Sequence, residues 1–246
     1  MKLTYLGQAG LLFEKEGFKI MIDPYLSDSV EKINPANYRR IPVNNRFFEI
    51  SPDIMIFTHN HLDHYDPETV EKFITCDSSI TVLAPQSVWS EVRKIGGKNN
   101  YVLFNRHTQW SQNGFVFTAV KAEHSDAFAI GVIIQDREKK YYITGDTLYN
   151  TEIFEDIPND IYALFLPVNG VGNNMNMTDG KWFCDKIKPK FVVPIHCGMF
   201  DNLDVNDFEC ENKIVLKTYE EIGFRVGRVY SIQRILYSAR GCNRWV

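Results

Sequence analysis

The sequence predicts an α+β layered sandwich in which two packed β-sheets carry helices on their outer faces. Three observations lead there: apolar runs of strand length in meander order near the amino terminus, strand followed by helix in each half, and a second meander in the middle. With 246 residues and 44% hydrophobic composition, the chain can bury a large core and sits near the upper size for one. A single domain spanning residues 1–246 is therefore expected.

Leu3 to Leu6, Gly10 to Phe13 and Phe18 to Ile22 run apolar and end at Asp23-Pro24, as strands of a meander. Asp28 to Asn45 is polar, rich in Asn and Pro, and too irregular for a regular element, so it is expected to form a rim or lid. Asp53 to Thr58 is a buried-strand run. A histidine cluster follows, then Asp66-Pro67-Glu68, where Asp66 can cap a helix and Pro67 can take its first position. Ile80 to Leu83 reads as another strand, with a helix from Gln86 to Ile95. Four strand-like runs are expected between Tyr101 and Gly145, among them Phe115 to Val120, Ala127 to Ile134 and Lys140 to Thr144. Ile161 to Val168 is a strand, Thr178 to Ile187 a helix closed by Pro189, and Phe191 to Ile195 a strand ending on His196. The tail repeats the order helix, then strands.

A formal charge of −4 supplies no electrostatic footprint for nucleic acid, and the isolated pairs Arg39-Arg40 and Lys139-Lys140 read as solvated surface. No run reaches the roughly 18 apolar residues of a membrane span. Thr4, Gln8 and Glu14 interrupt the opening residues before a signal-peptide core could form, so a soluble, unprocessed protein is expected. Cys76, Cys184, Cys197, Cys210 and Cys242 are odd in number, widely spaced and free of a CxxC pair, the usage of a reducing compartment and hence of the cytoplasm.

Chemistry concentrates in Thr58-His59-Asn60-His61-Leu62-Asp63-His64-Tyr65-Asp66, directly after an apolar strand. In an extended segment residues i and i+2 point the same way, so His59 and His61 can converge on one ion. Asp63 and His64 follow where the chain turns toward a helix and can serve a second ion. A lone histidine would more simply hydrogen-bond. The chain has only six histidines, however, and three of them fall here.

This run resembles the HxHxDH motif of the metallo-β-lactamase superfamily. Glu123-His124-Ser125 is similar to the next histidine of that pattern, Thr144-Gly145-Asp146-Thr147 to its GDT-like loop, and Pro194-Ile195-His196 to its last histidine. The resemblance spans nearly the whole chain and implies a four-layer αββα sandwich. It also implies that His59, His61 and His124 hold one ion, that Asp63, His64 and His196 hold the other, and that Asp146 bridges them. Two divalent ions about 3.5–4 Å apart can share a water, lower its pKa to leave hydroxide and polarise the bond under attack, so hydrolysis is the implied reaction. Asp63 would orient that water and accept its proton. All these ligands are nitrogen or oxygen donors, which suits zinc or manganese first, and iron or nickel also. Structural zinc sites close with four ligands, and this set leaves room for water.

Other residues carry two readings. Asp23 is similar to an aspartate near the site in such folds and could orient a ligand histidine, although a turn-forming Asp-Pro explains it equally. Asp66 could do the same work or simply cap its helix. His107 fits no position of the pattern and reads as a loop or core hydrogen-bonder, and Cys197 should point away from His196 and pack.

Leu6-Gly-Gln-Ala-Gly10, Ile22-Asp-Pro24, Asn174 to Asp179, and Lys190 to His196 with Met199-Phe200 resemble the branch containing L-ascorbate-6-phosphate lactonase. That implies a lactonase acting on a small anionic or sugar-phosphate substrate. The helix starting near Thr178 would then offer backbone N–H groups, a hydroxyl and Lys181 to an anion, against a reading as ordinary capping. Asn169 and Gly170, after a strand facing the same rim, would touch substrate. An alternative is hydrolysis of small phosphodiesters, which the same two-metal site serves elsewhere in the superfamily. A further alternative is a non-hydrolytic iron redox protein, whose branch resembles HxExDH with glutamate where this chain has His61. The expected partner is a small-molecule substrate, with neither nucleic acid nor membrane. Enzymes of the resembled branch assemble, which admits a homo-oligomer.

Overall fold

The computed structural model describes residues 1–225 and 228–231; Cys242 lies outside them. The amino-terminal meander is present as β1 (Lys2–Gly7), β2 (Gly10–Lys15) and β3 (Phe18–Ile22), paired antiparallel in sequence order. β4 (Ile54–Ile56), β5 (Thr81–Ala84) and β6 (Asn100–Leu103) then add in parallel beside β3. The second sheet begins with the antiparallel strands β7 (Gln109–Gln112), β8 (Phe115–Lys121), β9 (Ile130–Asp136) and β10 (Lys139–Ile143). β11 (Ile161–Pro167) and β12 (Phe191–Ile195) extend it in parallel. β13 (Glu221–Arg225) and β14 (Arg228–Ser231) return to the first sheet beside β1, making it eight-stranded.

Strand periodicity sets the layers. Leu3, Tyr5, Leu11, Phe13, Ile20, Ile22, Ile54 and Ile56 face Phe117, Val132, Tyr141, Ile143, Phe165 and Val193 of the other sheet in one buried cluster. The alternate residues Leu12, Met21, Met55 and Val82 turn outward under α2 (Pro67–Phe73) and α3 (Gln86–Val92). Ile133, Tyr142, Leu164 and Val192 do the same under α4 (Met177–Ile187), through Phe183, Cys184 and Ile187. Fully burying each such side chain contributes roughly 1.5–3 kcal/mol. The result is the αββα layering expected from the sequence.

Several local expectations are corrected. Five strands, not four, lie between residues 100 and 143, and the first of them, Asn100–Leu103, pairs with β5 outside the central meander. β9 starts at Ile130 and not Ala127, because the Asp126 side chain takes the N–H of Phe128 and its carbonyl takes that of Ala129. Within the polar stretch 28–45 a single helical turn forms, α1 (Ser29–Ile33). No α-helix follows α4 among the described residues; the Lys213 ammonium occupies the carbonyls of Val205, Asn206 and Phe208, leaving only a 3₁₀ turn. Arg39 is buried and not solvated, donating to Tyr25 O (2.7 Å) and Tyr219 Oη (3.2 Å) and lying over the Tyr25 ring, which ties the 28–45 stretch to the body. Lys139 and Lys140 are half-buried, the first over the Tyr162 ring and the second on Asp160. No helix among the described residues is long and apolar enough to cross a membrane.

Strand direction places the chemistry. β1, β3 and β4 run one way in the first sheet, and β8, β10, β11 and β12 run alike in the second. Their carboxyl ends, which carry Gln8, Asp23, Thr58, His124, Asp146, Asn169 and His196, gather at one edge of the sandwich. Two backbone bonds bind the sheets there: Ile130 N to Thr58 O (3.0 Å) and His196 N to Gln8 O (2.8 Å).

Candidate metal centre

After β4 the chain leaves the sheet through Thr58, whose N–H donates to Asp23 (2.8 Å). The N–H groups of His64 and Tyr65 both return to His61 O (3.0 and 2.8 Å), so the segment winds into a turn that brings His59, His61, Asp63 and His64 to one place. Asp66 then caps α2, accepting from Glu68 N (3.2 Å) and Thr69 N (3.1 Å), with Pro67 in the first helical position. Capping accounts for Asp66.

The remaining candidates arrive from the second sheet. Ligand atoms of His59, His61 and His124 lie within 4.8 Å of one another, as do those of Asp63, His64 and His196; Asp146 groups with His59 and His64, one member of each trio. His59, His64, Asp146 and His196 are buried, whereas His61, Asp63 and His124 are half-buried.

Each of the five imidazoles has one nitrogen engaged by the protein and the other turned inward. His59 Nδ1 meets Thr58 Oγ1 (3.1 Å), and its Nε2 is buried without a partner. His61 reverses the pattern, Nε2 meeting Ser125 Oγ (3.2 Å) while Nδ1 faces His124 Nε2 (3.1 Å). His64 Nδ1 donates to Asp23 (2.8 Å), and its buried Nε2 lies 3.2 Å from Asp146. His124 Nδ1 meets Asn173 O (3.2 Å). His196 Nδ1 meets the Asn169 amide (3.0 Å), and its Nε2 lies 3.1 Å from Asp63 and 3.2 Å from Asp146, with the Gln8 amide also 3.0 Å from it. Buried nitrogen lone pairs facing one another repel and are costly without a partner. A cation between them satisfies these nitrogens and carboxylates together, so the donor set fits metal.

The electrostatics say the same. Burial pushes His59 well below the ordinary histidine range and also lowers His124, keeping both neutral. Burial opposes charge on His64 and His196 too, yet Asp146 and its neighbouring carboxylates raise His64 well above that range and His196 to about 10. Burial disfavours the anions of Asp146 and Asp63, but the cationic imidazoles hold both below the usual carboxylate range. The carboxylates of Asp146 and Asp63 thus remain anionic and call for positive charge, which metal ions would supply by displacing the imidazole protons.

Some participants were invisible in the sequence as ligand partners. Gln8, at the β1–β2 turn, donates to Asp63 (2.8 Å). Asn174 donates to Asp146 (2.8 Å) while accepting from Thr147 N (3.0 Å). Gln8, Asp23 and His196 all adopt positive φ (53°, 41° and 59°), a conformation that costs non-glycine residues roughly 1–3 kcal/mol and clusters at functional sites. Asp23 bonds His64 Nδ1, the contact that one of its two readings requires.

A cleft of about 420 Å³ opens over the centre, lined by His61, Asp63, Asp146 and His196 with Gln8, Asn169, Val171 and Phe200 among its walls. Thr178 and Lys181 are not among its lining residues. Lys181 is exposed and paired with Asp185, and the α4 N-terminus is closed by a capping box between Asn176 and Asp179. Capping therefore accounts for this helix start. Gly170 is exposed beside the cleft. His107 is an exposed loop residue bonded to Asp156, and Cys197 packs in the cluster beneath α4.

Comparison with known proteins adds to this geometry. Residues 2–196 match the family described as beta-lactamase superfamily domain. A UPF0173 metal-dependent hydrolase of Carboxydothermus hydrogenoformans is 30% identical over 224 residues, covering 85% of this chain and 91% of that protein. Igni18, a metallo hydrolase from Ignicoccus hospitalis, superposes with a TM-score of 0.73 at 20% identity, over 92% of this chain and 98% of its own. An isothiocyanate hydrolase from Delia radicum gut bacteria gives 0.69 at 19% identity, over 91% and 99%. At such identities the structural matches speak for the fold, and they agree with the two-sheet architecture described above.

Proposed function

The chain belongs to the β-lactamase superfamily and to the UPF0173 metal-dependent hydrolase family, and from that premise we propose that it hydrolyses a small-molecule lactone or ester at a centre of two divalent ions. The observation that carries this reading is the set of five imidazoles, each fixed by a protein partner on one nitrogen and converging on the other. His59, His61 and His124 would hold one ion, Asp63, His64 and His196 the second, with Asp146 between them. Bound there, zinc or manganese would acidify water and polarise the bond under attack.

The chain's own groups divide the remaining work. Asp63 opens on the cleft and is fixed by the Gln8 amide. A carboxylate at the mouth of the centre, held by an amide N–H, serves as an acceptor that orients the attacking water. Asp146, deeper and held by Asn174, keeps the two trios at a fixed separation.

The lactone reading draws on the resemblance of Leu6 to Gly10, whose Gln8 stands in the cleft. The sugar-phosphate refinement leaned on Thr178 and Lys181; with both away from the cleft lining, we keep the bond type and leave the phosphate aside. Free thiols at Cys76, Cys184, Cys197 and Cys210 support a cytoplasmic location.

Lactone, ester and phosphodiester model substrates assayed side by side on metal-loaded protein test the proposal. Turnover of lactone or ester is expected; turnover of phosphodiesters alone would refute the bond assignment. His61→Ala and Asp146→Ala should each abolish hydrolysis and lower bound metal with the sheet signal of circular dichroism unchanged. Full activity in either would refute the two-metal centre.

A further inference from the structure

We propose that Asn169 is a positioning residue of the metal centre, its side-chain carbonyl accepting from His196 Nδ1–H and so holding His196 Nε2 toward Asp63 and Asp146. This rests on the metal reading above, and it replaces the role of substrate contact that the sequence suggests for Asn169.

The inward nitrogen of His196 is Nε2, 3.1 Å from Asp63 and 3.2 Å from Asp146. An imidazole that gives Nε2 to a cation carries its proton on Nδ1 and needs an acceptor there. The Asn169 carboxamide stands 3.0 Å from that nitrogen, and its Oδ1 is buried without a partner. A half-turn of the amide exchanges its two ends, sets the carbonyl against the Nδ1 proton and removes a clash between two donors. Gln8 Nε2, a donor already committed to Asp63, lies nearer to His196 Nε2 (3.0 Å) than to Nδ1 (3.3 Å) and leaves the acceptor role at Nδ1 to Asn169.

The loop that carries Asn169 is built to hold it. Asn169 bridges to Asn176, and Gly170 N donates to Met175 O (3.0 Å). Gly170 has φ +70°, and a Cβ there would come within 2.9 Å of Asn176 Cβ. Asn173 O from this loop takes His124 Nδ1, and Asn174 donates to Asp146. Residues 169–176 thus steady a member of each trio and the aspartate between them while contributing no ligand.

The test is calorimetric titration of metal-free protein with Zn²⁺, alongside KM and kcat on a turned-over lactone or ester. Asn169→Leu, similar in shape but without an acceptor, should weaken one of two binding events by about 10–100-fold, the usual effect of losing the partner of a ligand histidine. Asn169→Asp should bind within about threefold of wild type or tighter, because a carboxylate accepts from an imidazole N–H as Asp23 does for His64. Asn169→Ala takes the place of Asn169→Leu if the latter does not fold. Wild-type Zn²⁺ affinity in Asn169→Leu with only KM raised would overturn the proposal in favour of a substrate contact. Equal loss in Asn169→Asp and Asn169→Leu would also overturn it, since the amide N–H would then be the group that matters. Wild-type protein that binds no Zn²⁺ would remove the metal reading itself, and this inference with it.

Discussion

Replacing Asp23 with asparagine isolates a proton from a shape. Asp23 is fully buried and accepts three hydrogen bonds, from Thr58 N (2.8 Å) and Thr58 Oγ1 (2.5 Å) and from His64 Nδ1 (2.8 Å). One carboxylate oxygen takes the backbone N–H; the other takes the hydroxyl and the imidazole. An asparagine must keep its carbonyl on the rigid backbone N–H of Thr58, because the reverse orientation sets donor against donor. Its NH₂ then faces His64 Nδ1. His64 can accept that bond only by moving its proton to Nε2, the nitrogen turned to the centre. The Thr58 hydroxyl can rotate to accept, so the fold should lose roughly 1 kcal/mol, the value of an exchanged hydrogen bond. Metal affinity should fall about 10–100-fold, or about 1.4–2.7 kcal/mol. Asp23→Ala, by contrast, strands buried donors at roughly 1–3 kcal/mol each and should cost several kcal/mol of stability. Urea unfolding of the metal-free proteins and titration against a competing chelator read the two quantities separately. Wild-type affinity in Asp23→Asn would show that Asp23 does not set the His64 tautomer, and the account of the imidazole partners would fail.

Gly145→Ala places a methyl where φ is +62° and where a Cβ comes within 2.8 Å of Ile130 O and 2.9 Å of Thr58 Cβ. The left-handed conformation alone costs about 1–2 kcal/mol and the backbone contact adds to it, so a fall in stability of at least about 2 kcal/mol is expected in urea unfolding. No change would deny the tight turn before Asp146. Burial works against the Asp156 anion, but the Arg106 guanidinium, the Lys121 N–H and His107 outweigh it and hold the carboxyl at about 2. A depressed carboxyl stabilises the folded chain above its unfolded value near 4 and loses that contribution as pH falls toward about 2. With Arg106 partly exposed and screened by water, the contribution is about 1 kcal/mol. Asp156→Asn should lose that amount at pH 7 and show a flatter decline between pH 4 and 2; a parallel decline would contradict the assignment. Stripping metal with a chelator should lower the unfolding free energy by about 2.7 kcal/mol relative to protein held at a hundredfold excess of free ion over Kd, and thermal melts with and without added Mn²⁺ or Zn²⁺ check it.

The sheets and the histidine cluster were legible because each rests on local periodicity. Two-residue alternation distinguishes Leu11 and Phe13 from Leu12, and the same spacing aligns His59 with His61 before the turn at Asp63. What lay beyond reach was tertiary. Gln8, Asn173 and Asn174 are ordinary turn residues in sequence and Asn169 reads there as a substrate contact; only the shared direction of β1, β10, β11 and β12 brings them to the candidate ligands. Asn100–Leu103 read as part of the central meander because a short strand carries no mark of its sheet; its parallel pairing with β5 follows from the return through α3. Thr178 and Lys181, which the sequence offers to an anion, do not line the cleft. A helix start rich in polar groups looks the same whether it meets a ligand or caps itself, and here Asn176 and Asp179 close it.

Two divalent ions in one seven-residue centre make metal stoichiometry the decisive measurement for the proposed chemistry. Protein freed of metal, reloaded with Zn²⁺ or Mn²⁺, desalted and measured by elemental analysis should retain about two ions per chain, as binuclear centres of this chemistry do. Asp146→Ala should retain less. One ion or none per wild-type chain, or two retained in Asp146→Ala, would contradict the shared centre around Asp146.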